Sequence, residues 1–390
     1  MAEKAKILIL STAYLPHIGG SELAIKNITD RINDFEFHLI TARLDKNSPS
    51  YEVMGNISVF RVGGFFSLAK GLLPKNFLPL VIFFKAKSLI KKHNYKLIHA
   101  FQLSGGAGAG WLLKFFYPKL PFIVTMQEGK DLERQGFLIN FFRKMIIKKA
   151  DSAVAISQYL KMYIQKVKKD LPIAVIPNGV DLNNFSRQFS YGEVTALENS
   201  LGIKPDDKVI IHTGRLVWKN GLNLLIEALH VLEARDRKQD IGGYKLLIVG
   251  GGELEKKLKS QVKSLNLESK VVFIEMVQPQ DLPVYLKISD VFIRPSRSEG
   301  LGSSFLEAMA VGIPVIATKV GGIPDFLKDR ETGLFCTLEP GDIASKINII
   351  FENEMLRRNI IENSRALVAD KYNWDKISKQ YENIYYHSCL

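Results

Sequence analysis

Short aliphatic runs recur down the whole chain, each closed by a turn and followed by a segment of good helix formers. In the first half they are KILILST (6–12), FHLIT (37–41), KLIHA (96–100), FIVTM (122–126), AVAIS (153–157) and AVIPN (174–178). In the second half they are VIIHT (209–213), KLLIVG (245–250), VVFIE (271–275), VFIRP (291–295) and PVIAT (314–318). Strands that are apolar at consecutive positions are buried on both faces, and such strands make parallel sheets covered by helices. Two openings repeat the strand, loop, helix order of a doubly wound unit. Ile7–Leu10 leads through Gly19 and Gly20 to a helix from Ser21, and Val209–Thr213 leads through GRLVWKNG to the helix LNLLIEALHVL. A chain of 390 residues is also too long for one ordinary core. The expectation is an α/β protein of two doubly wound Rossmann-like domains facing a central cleft, residues 1–180 and 181–371, with the polar segment 181–203 as the break. Ligands of such sheets bind outside the carboxyl ends of the strands.

One stretch at such a strand end carries chemistry. RPSRSEGLGSSFLEAMAVGIPVI (294–316) holds two carboxylates, Glu299 and Glu307. Pro295 to Ser298 read as a loop that carries Glu299, Gly300, Leu301 and Gly302. Ser303 or Ser304 is the expected N-cap of a helix, which puts Glu307 about one turn inside it. Free amides at a helix N-terminus, approached closely because of the glycines, suit an anionic ligand such as a diphosphate. Arg215 and Lys219, in the loop after Val209–Thr213, are fixed cations for the same charge.

Taken together, the motifs resemble the family-4 retaining glycosyltransferases of the GT-B fold, glycosyltransferase group 1, marked by a pair of glutamates with seven residues between them. The resemblance runs through YLPHIGGSE (14–22), VIPNGVDLNNF (175–185), GRLVWKNG, VGGGELE (249–255), SEGLGSSFLEAMAVGIPVIAT (298–318) and YNWDKISKQYENIY (372–385). It implies transfer of a hexose from a nucleoside diphosphate sugar to an acceptor hydroxyl with retention of configuration. In that reading Glu307 binds the ribose hydroxyls, since a carboxylate can accept from both members of a vicinal diol. Glu299 faces the donor sugar, and Arg215 and Lys219 hold the diphosphate. Gly19, Gly20, Gly251, Gly300, Leu301, Gly302 and Ser303 approach the donor through the backbone. The family's lysine commonly stands directly before the glycine, where this chain has Asn220, so the cation here is displaced by one residue. The resemblance also implies that residues 372–390 form a helix crossing back to the first domain.

On the acceptor side, TMQEGKDL (125–132) lacks the histidine that many relatives carry. Gln127, Glu128 and Asp131 stand there instead, as acceptor or sugar contacts or as a polar strand end. No metal or cofactor is expected. The chain has no Asp-x-Asp, and its seven histidines form no ligand-like cluster. Fixed cations and a helix dipole can stabilise the leaving diphosphate instead.

Charge separates the possible partners. Residues 51–150 hold 16 Lys and Arg against 4 Asp and Glu, so the other 290 residues together carry only +1 of the net +13. Such a field attracts anionic surfaces. Within it, FLPLVIFFKAKSLIKKH (77–93) and FLINFFRKMIIKKA (137–150) mix large apolar groups with lysines. Each reads first as a core-packing helix with a solvated basic edge, the second with Leu138, Phe141, Phe142, Met145 and Ile146 on its inner face, and next as an interfacial membrane element. No nucleic-acid module is present, so nucleic acid is not expected as a partner. The acceptor is expected to be a lipid-linked or other carbohydrate of envelope polysaccharide or glycolipid synthesis, with a soluble sugar as the alternative. A sugar-nucleotide epimerase is a more distant one. The charged opening MAEKAK, only two cysteines, and apolar runs far short of the roughly 18 residues needed to span a bilayer lead to an expectation of a reducing cytoplasm, peripheral on the membrane's inner face.

Overall fold

A computed structural model of the chain describes residues 4–63, 77–129, 132, 135–236 and 243–389. It divides into two units, residues 1–178 with 374–390, and residues 179–373.

In the first unit the order is β1 (Ala5–Leu10), α1 (Gly20–Arg31), β2 (Phe35–Ala42), β3 (Tyr51–Met54), β4 (Ile57–Val62), α2 (Leu78–Ile90), β5 (Tyr95–Phe101), α3 (Gly105–Phe116), β6 (Phe122–Met126), α4 (Phe137–Lys149), β7 (Ser152–Ala155), α5 (Gln158–Val167) and β8 (Ile173–Val175). The strands form one sheet in the order β3-β4-β2-β1-β5-β6-β7-β8, parallel except for the β3–β4 pair. β3 and β4 were not legible as aliphatic runs. β3 alternates exposed with half-buried residues and β4 buried with half-buried ones, as in a strand pair at a sheet edge.

The second unit continues with α6 (Leu182–Phe185), α7 (Tyr191–Ser200), β9 (Lys208–Thr213), α8 (Leu222–Asp236), β10 (Tyr244–Val249), α9 (Glu255–Ser264), β11 (Val271–Ile274), α10 (Leu282–Lys287), β12 (Val291–Arg294), α11 (Ser303–Val311), β13 (Val315–Thr318), β14 (Leu334–Cys336), α12 (Pro340–Glu352) and α13 (Glu354–Lys371). Its all-parallel sheet runs β11-β10-β9-β12-β13-β14. The polar segment 181–203, read as the domain break, is instead largely helical and lies inside this unit. Asp181 caps α6, and Ser190 with Glu193 forms a capping box on α7, so its polar residues start helices.

The last helix, α14 (Trp374–Cys389), belongs to the first unit. Trp374, Ile377, Tyr381 and Tyr385 are buried in that unit's core with Ile7, Phe37 and Leu97. Tyr385 hydrogen-bonds His99 Nδ1 at 2.9 Å, and His99 Nε2 meets Thr125 Oγ1 at 2.7 Å, tying α14 to β5 and β6.

α4 departs from its expected packing. Its buried residues are Arg143, Ile146 and Ile147, whereas Leu138, Phe141 and Phe142 of the proposed inner face are exposed. Arg143 Nη1 donates to Asn140 Oδ1 at 2.9 Å and Nη2 to Gln135 Oε1 at 2.6 Å, while its buried Nε has no partner among the described residues. Only the second half of α4 packs. α2 follows the expectation, burying Leu78, Ile82, Phe83, Ala86 and Leu89.

Candidate functional site

The strand order of the second unit places its switch point between β9 and β12, where chain direction across the sheet reverses and the two following loops part. The ladder there is short, pairing only Val291 with Ile210 and Phe292 with Ile211. Beyond it the His212 imidazole hydrogen-bonds the Ile293 carbonyl at 3.2 Å. Burial holds that imidazole neutral, with its pKa lowered to about 3.

The loop after β9 turns through a short 3₁₀ segment, Trp218–Asn220, and the loop after β12 carries Glu299. They pack closely at Gly221, whose φ is +71° and where a Cβ would stand 2.1 Å from the Pro295 carbonyl oxygen. Only glycine serves there. The Lys219 carbonyl accepts from the Arg297 N–H at 2.6 Å, and Asn220 Nδ2 donates to the Arg215 carbonyl at 2.7 Å. This pairing brings Lys219 Nζ to 3.2 Å from both Glu299 carboxylate oxygens.

Glu299 has a second partner, one the sequence reading passed over. Arg294, the last residue of β12, donates through Nη2 to Glu299 Oε2 in a short ion pair. Its Nη1 donates to Ser304 Oγ at 2.7 Å, its Nε to Ser296 Oγ at 3.3 Å, and its guanidinium lies 4.4 Å from the Phe305 ring centre. Both residues are buried, Arg294 at 6% and Glu299 at 7% exposure. Burial pushes the Glu299 carboxyl up, but Arg294 and then Lys219 more than offset this and hold its pKa below the ordinary value. Burial lowers the Lys219 pKa, against the pull of Glu299. The available signal was an arginine ending an otherwise aliphatic strand, directly before proline.

α11 begins at Ser303 rather than after a serine cap. The N-cap is Gly302, at φ +94°, and the Ser304 hydroxyl is engaged by Arg294. Glu307 lies in the second turn, half-buried, with no hydrogen bond to its carboxylate among the described residues. Burial pushes its pKa up to about 7, with Arg294 pulling the other way. Gly300 N–H donates to Glu299 Oε1 at 3.1 Å, and Leu301 is buried. Gly251 has open space above it, and its carbonyl accepts from the Leu216 N–H at 3.0 Å, so the VGGGELE turn abuts the β9 loop. Arg215 is exposed in that loop and Asn220 is buried. The structure thus gathers Lys219, Glu299, Arg294 and the start of α11, with Arg215 at the solvent side.

In the first unit the switch point falls between β1 and β5. Thr12 Oγ1 meets Ser104 Oγ at 2.8 Å there, and Gln102 Nε2 donates to Ser21 Oγ at 2.8 Å. Gly19 caps α1 and Gly20 begins it. Gln127 Oε1 accepts from Asn178 Nδ2 at 3.1 Å, and a Cβ on Gly20 would lie 3.4 Å from that same amide nitrogen. Gln127 Nε2 and Asn178 Oδ1 are buried without a partner among the described residues, which leaves this strand edge with unused hydrogen-bonding capacity. Glu128 accepts from the Leu103 and Gln127 N–H groups. Burial raises its pKa, opposed by the Leu103 hydrogen bond and Arg143. Its carboxylate organises two backbone turns. Asp131 lies outside the described residues.

Residues 18–184 match the family described as Glycosyltransferase Family 4, and residues 193–367 match Glycosyl transferases group 1. The chain is 28% identical to the N-acetyl-alpha-D-glucosaminyl L-malate synthase of Bacillus anthracis, covering 98% of this chain and 97% of that one. It is 23% identical to the alpha-monoglucosyldiacylglycerol synthase of Streptococcus pneumoniae, over 84% and 74% of the two chains. Among solved structures, the sucrose-phosphate synthase of Thermosynechococcus elongatus superposes with a TM-score of 0.84 at 21% identity, over 99% of both chains. Anabaena Alr3699/HepE in complex with UDP-glucose superposes with a TM-score of 0.79 at 22% identity, over 98% and 99%.

Proposed function

The chain belongs to the group 1 glycosyltransferases of the family-4 type, with the GT-B fold, and on that premise we propose that it transfers a hexose from a nucleoside diphosphate sugar to an acceptor hydroxyl, with retention and without a metal. The observation that carries the reading is the convergence of Lys219 and Arg294 on Glu299 at the switch point, beside the start of α11. Lys219 and Arg215 take the diphosphate, whose negative charge grows as the glycosidic bond breaks, and the N-terminus of α11 adds its dipole. Glu299 receives the sugar hydroxyls and Glu307 the ribose diol. Gly300, Gly302, Ser303 and Gly251 let the backbone come close to the donor. In the first unit, Gly19, Gly20 and Gln127 take the sugar or acceptor; Glu128, tied to two backbone amides, shapes that edge rather than acting as a free base.

UDP-glucose in the Anabaena structure and glucosyldiacylglycerol in the name of the pneumococcal relative support a sugar-nucleotide donor and a lipid-borne acceptor. An exposed surface of the first unit favours the lipid reading over a soluble acceptor. Phe137 and Leu138 are 81% and 67% exposed at the start of α4, and the same helix carries exposed Lys144 and Lys148. Among the described residues no helix is long and apolar enough to cross a membrane, so this surface would dock peripherally. A product assay across labelled UDP-, GDP-, ADP- and dTDP-hexoses, each with lipid-linked and soluble acceptors, tests the function. Transfer with retained anomeric configuration supports it, and conversion of the donor sugar without transfer would favour an epimerase.

A further inference from the structure

Lys219 has two claims on it. In the chain as it stands its ammonium contacts both oxygens of Glu299, while the function proposed above, on which this inference rests, requires it on the donor's diphosphate. A single ammonium on a flexible stem cannot serve both in full. If Lys219 were the sole counter-ion of Glu299, binding a diphosphate would strip a buried carboxylate of its compensation, and a buried charge left alone is strongly destabilising.

Arg294 removes that conflict. Its guanidinium cannot be deprotonated in a protein, and it is held from three sides by Ser296, Ser304 and the Phe305 ring while it pairs with Glu299. Its side chain is 7% exposed against 18% for Lys219, so of the two cations it is the one that stays in place. We propose that Arg294 is a positioning residue that remains the resident counter-ion of Glu299, so that Lys219 is free to pass from Glu299 to the diphosphate of the donor. Glu299 then stays ionised and oriented towards the sugar throughout, and donor binding exchanges one ion pair for another.

The test is calorimetric titration with UDP, GDP, ADP and dTDP, continued with whichever binds the wild type, on Arg294→Met, Arg294→Lys, Glu299→Gln and the double variant Arg294→Met with Glu299→Gln. With Arg294 gone, Glu299 holds Lys219 and the nucleoside diphosphate should bind about tenfold more weakly or worse. Glu299→Gln releases Lys219 and should bind at least as tightly as wild type while losing transfer. In the double variant no carboxylate remains to compensate, so affinity should return to within about threefold of wild type, a recovery that a merely structural role for Arg294 does not give. Arg294→Lys should fall between. If the double variant binds as weakly as Arg294→Met, or if Arg294→Met binds like wild type, the proposal is wrong. Thermal melts accompany each variant. Should Arg294→Met not fold, the comparison of Arg294→Lys, Glu299→Gln and the double variant decides by the same criterion. Absence of binding by every diphosphate to folded wild type would remove the donor reading itself, and this inference with it.

Discussion

Lys219 sits on Glu299 with its ammonium 3.2 Å from both carboxylate oxygens, although the two residues are 80 positions apart in the chain. They meet because β9 and β12 are neighbours in the sheet and their loops face each other across the switch point. The pair is largely shielded from solvent, with side-chain exposures of 18% at Lys219 and 8% at Glu299, so its electrostatics resist salt better than a surface pair would.

Replacing Lys219 by alanine should lower kcat by about a hundredfold, the usual order for a preorganised stabiliser of transition-state charge. Arg215→Ala should act in the same direction, although Arg215 is exposed. Steady-state kinetics with and without EDTA check both claims. If chelator abolishes turnover and magnesium or manganese restores it, these cations are not what neutralises the diphosphate.

With Glu307 on the ribose diol, as proposed, donor binding should depend on pH. Burial pushes its pKa from 4.5 to about 7, so near neutrality the folded chain holds a proton that the unfolded chain has released. The stability this gives is complete below about pH 4.5 and is lost as the pH rises through about 7. Glu307→Gln should therefore melt higher relative to wild type at about pH 8 than at about pH 5. Ribose hydroxyls need the ionised form, so wild-type affinity for the diphosphate should fall as the pH drops below 7. Glu307→Ala should weaken binding by about 2 to 3 kcal/mol, counting 1 to 1.5 for each lost hydrogen bond. Titrations across pH decide it, and unchanged affinity in the alanine variant takes Glu307 out of the site.

Tyr385→Phe should loosen α14. The hydroxyl it removes pairs with the fully buried His99, and leaving that imidazole short of a partner should cost about 1 to 2 kcal/mol in urea unfolding. His99 is neutral in the folded chain, its pKa lowered by burial to about 3. The stability tied to that neutral form is present above its usual 6.5 and is lost as the pH falls towards 3, so wild type should weaken on acidification. Hydrogen exchange in 374–389 reads the local effect, and unaltered protection would mean that packing alone holds the helix.

Anionic liposomes should sediment the protein and neutral ones should not. Membrane lysines contribute about 1 kcal/mol each, decaying over a Debye length of about 8 Å at physiological salt. Changing Lys85, Lys87, Lys91 and Lys92 to glutamate should reduce binding at low salt. Phe141→Ser with Phe142→Ser should reduce it at every salt concentration and leave the melting temperature nearly unchanged, because both rings are exposed. Failure of the wild type to bind even at low salt would return α4 to an ordinary surface and favour a soluble acceptor.

The class of fold, the two units and the loop bearing Glu299 and Glu307 were written in local sequence. Short aliphatic runs rich in Ile and Val and closed by turns read as doubly buried strands, and a strand, glycine turn and helix former in succession leave little choice of connection. The edge strand β3 and its neighbour β4 escaped notice because alternate residues of each are less buried than those between them, so neither carries such a run. Which side of α4 is buried was also beyond reach. An amphipathic pattern gives a face but does not name its partner, and here Arg143, Ile146 and Ile147 pack inward while the aromatic residues stay outside. The ion pairs of Glu299 with Lys219 and Arg294 depend on strand order, a long-range property that local periodicity does not encode. The raised pKa of Glu307 and the lowered ones of His99 and His212 are likewise tertiary, since each follows from how much water the finished packing excludes.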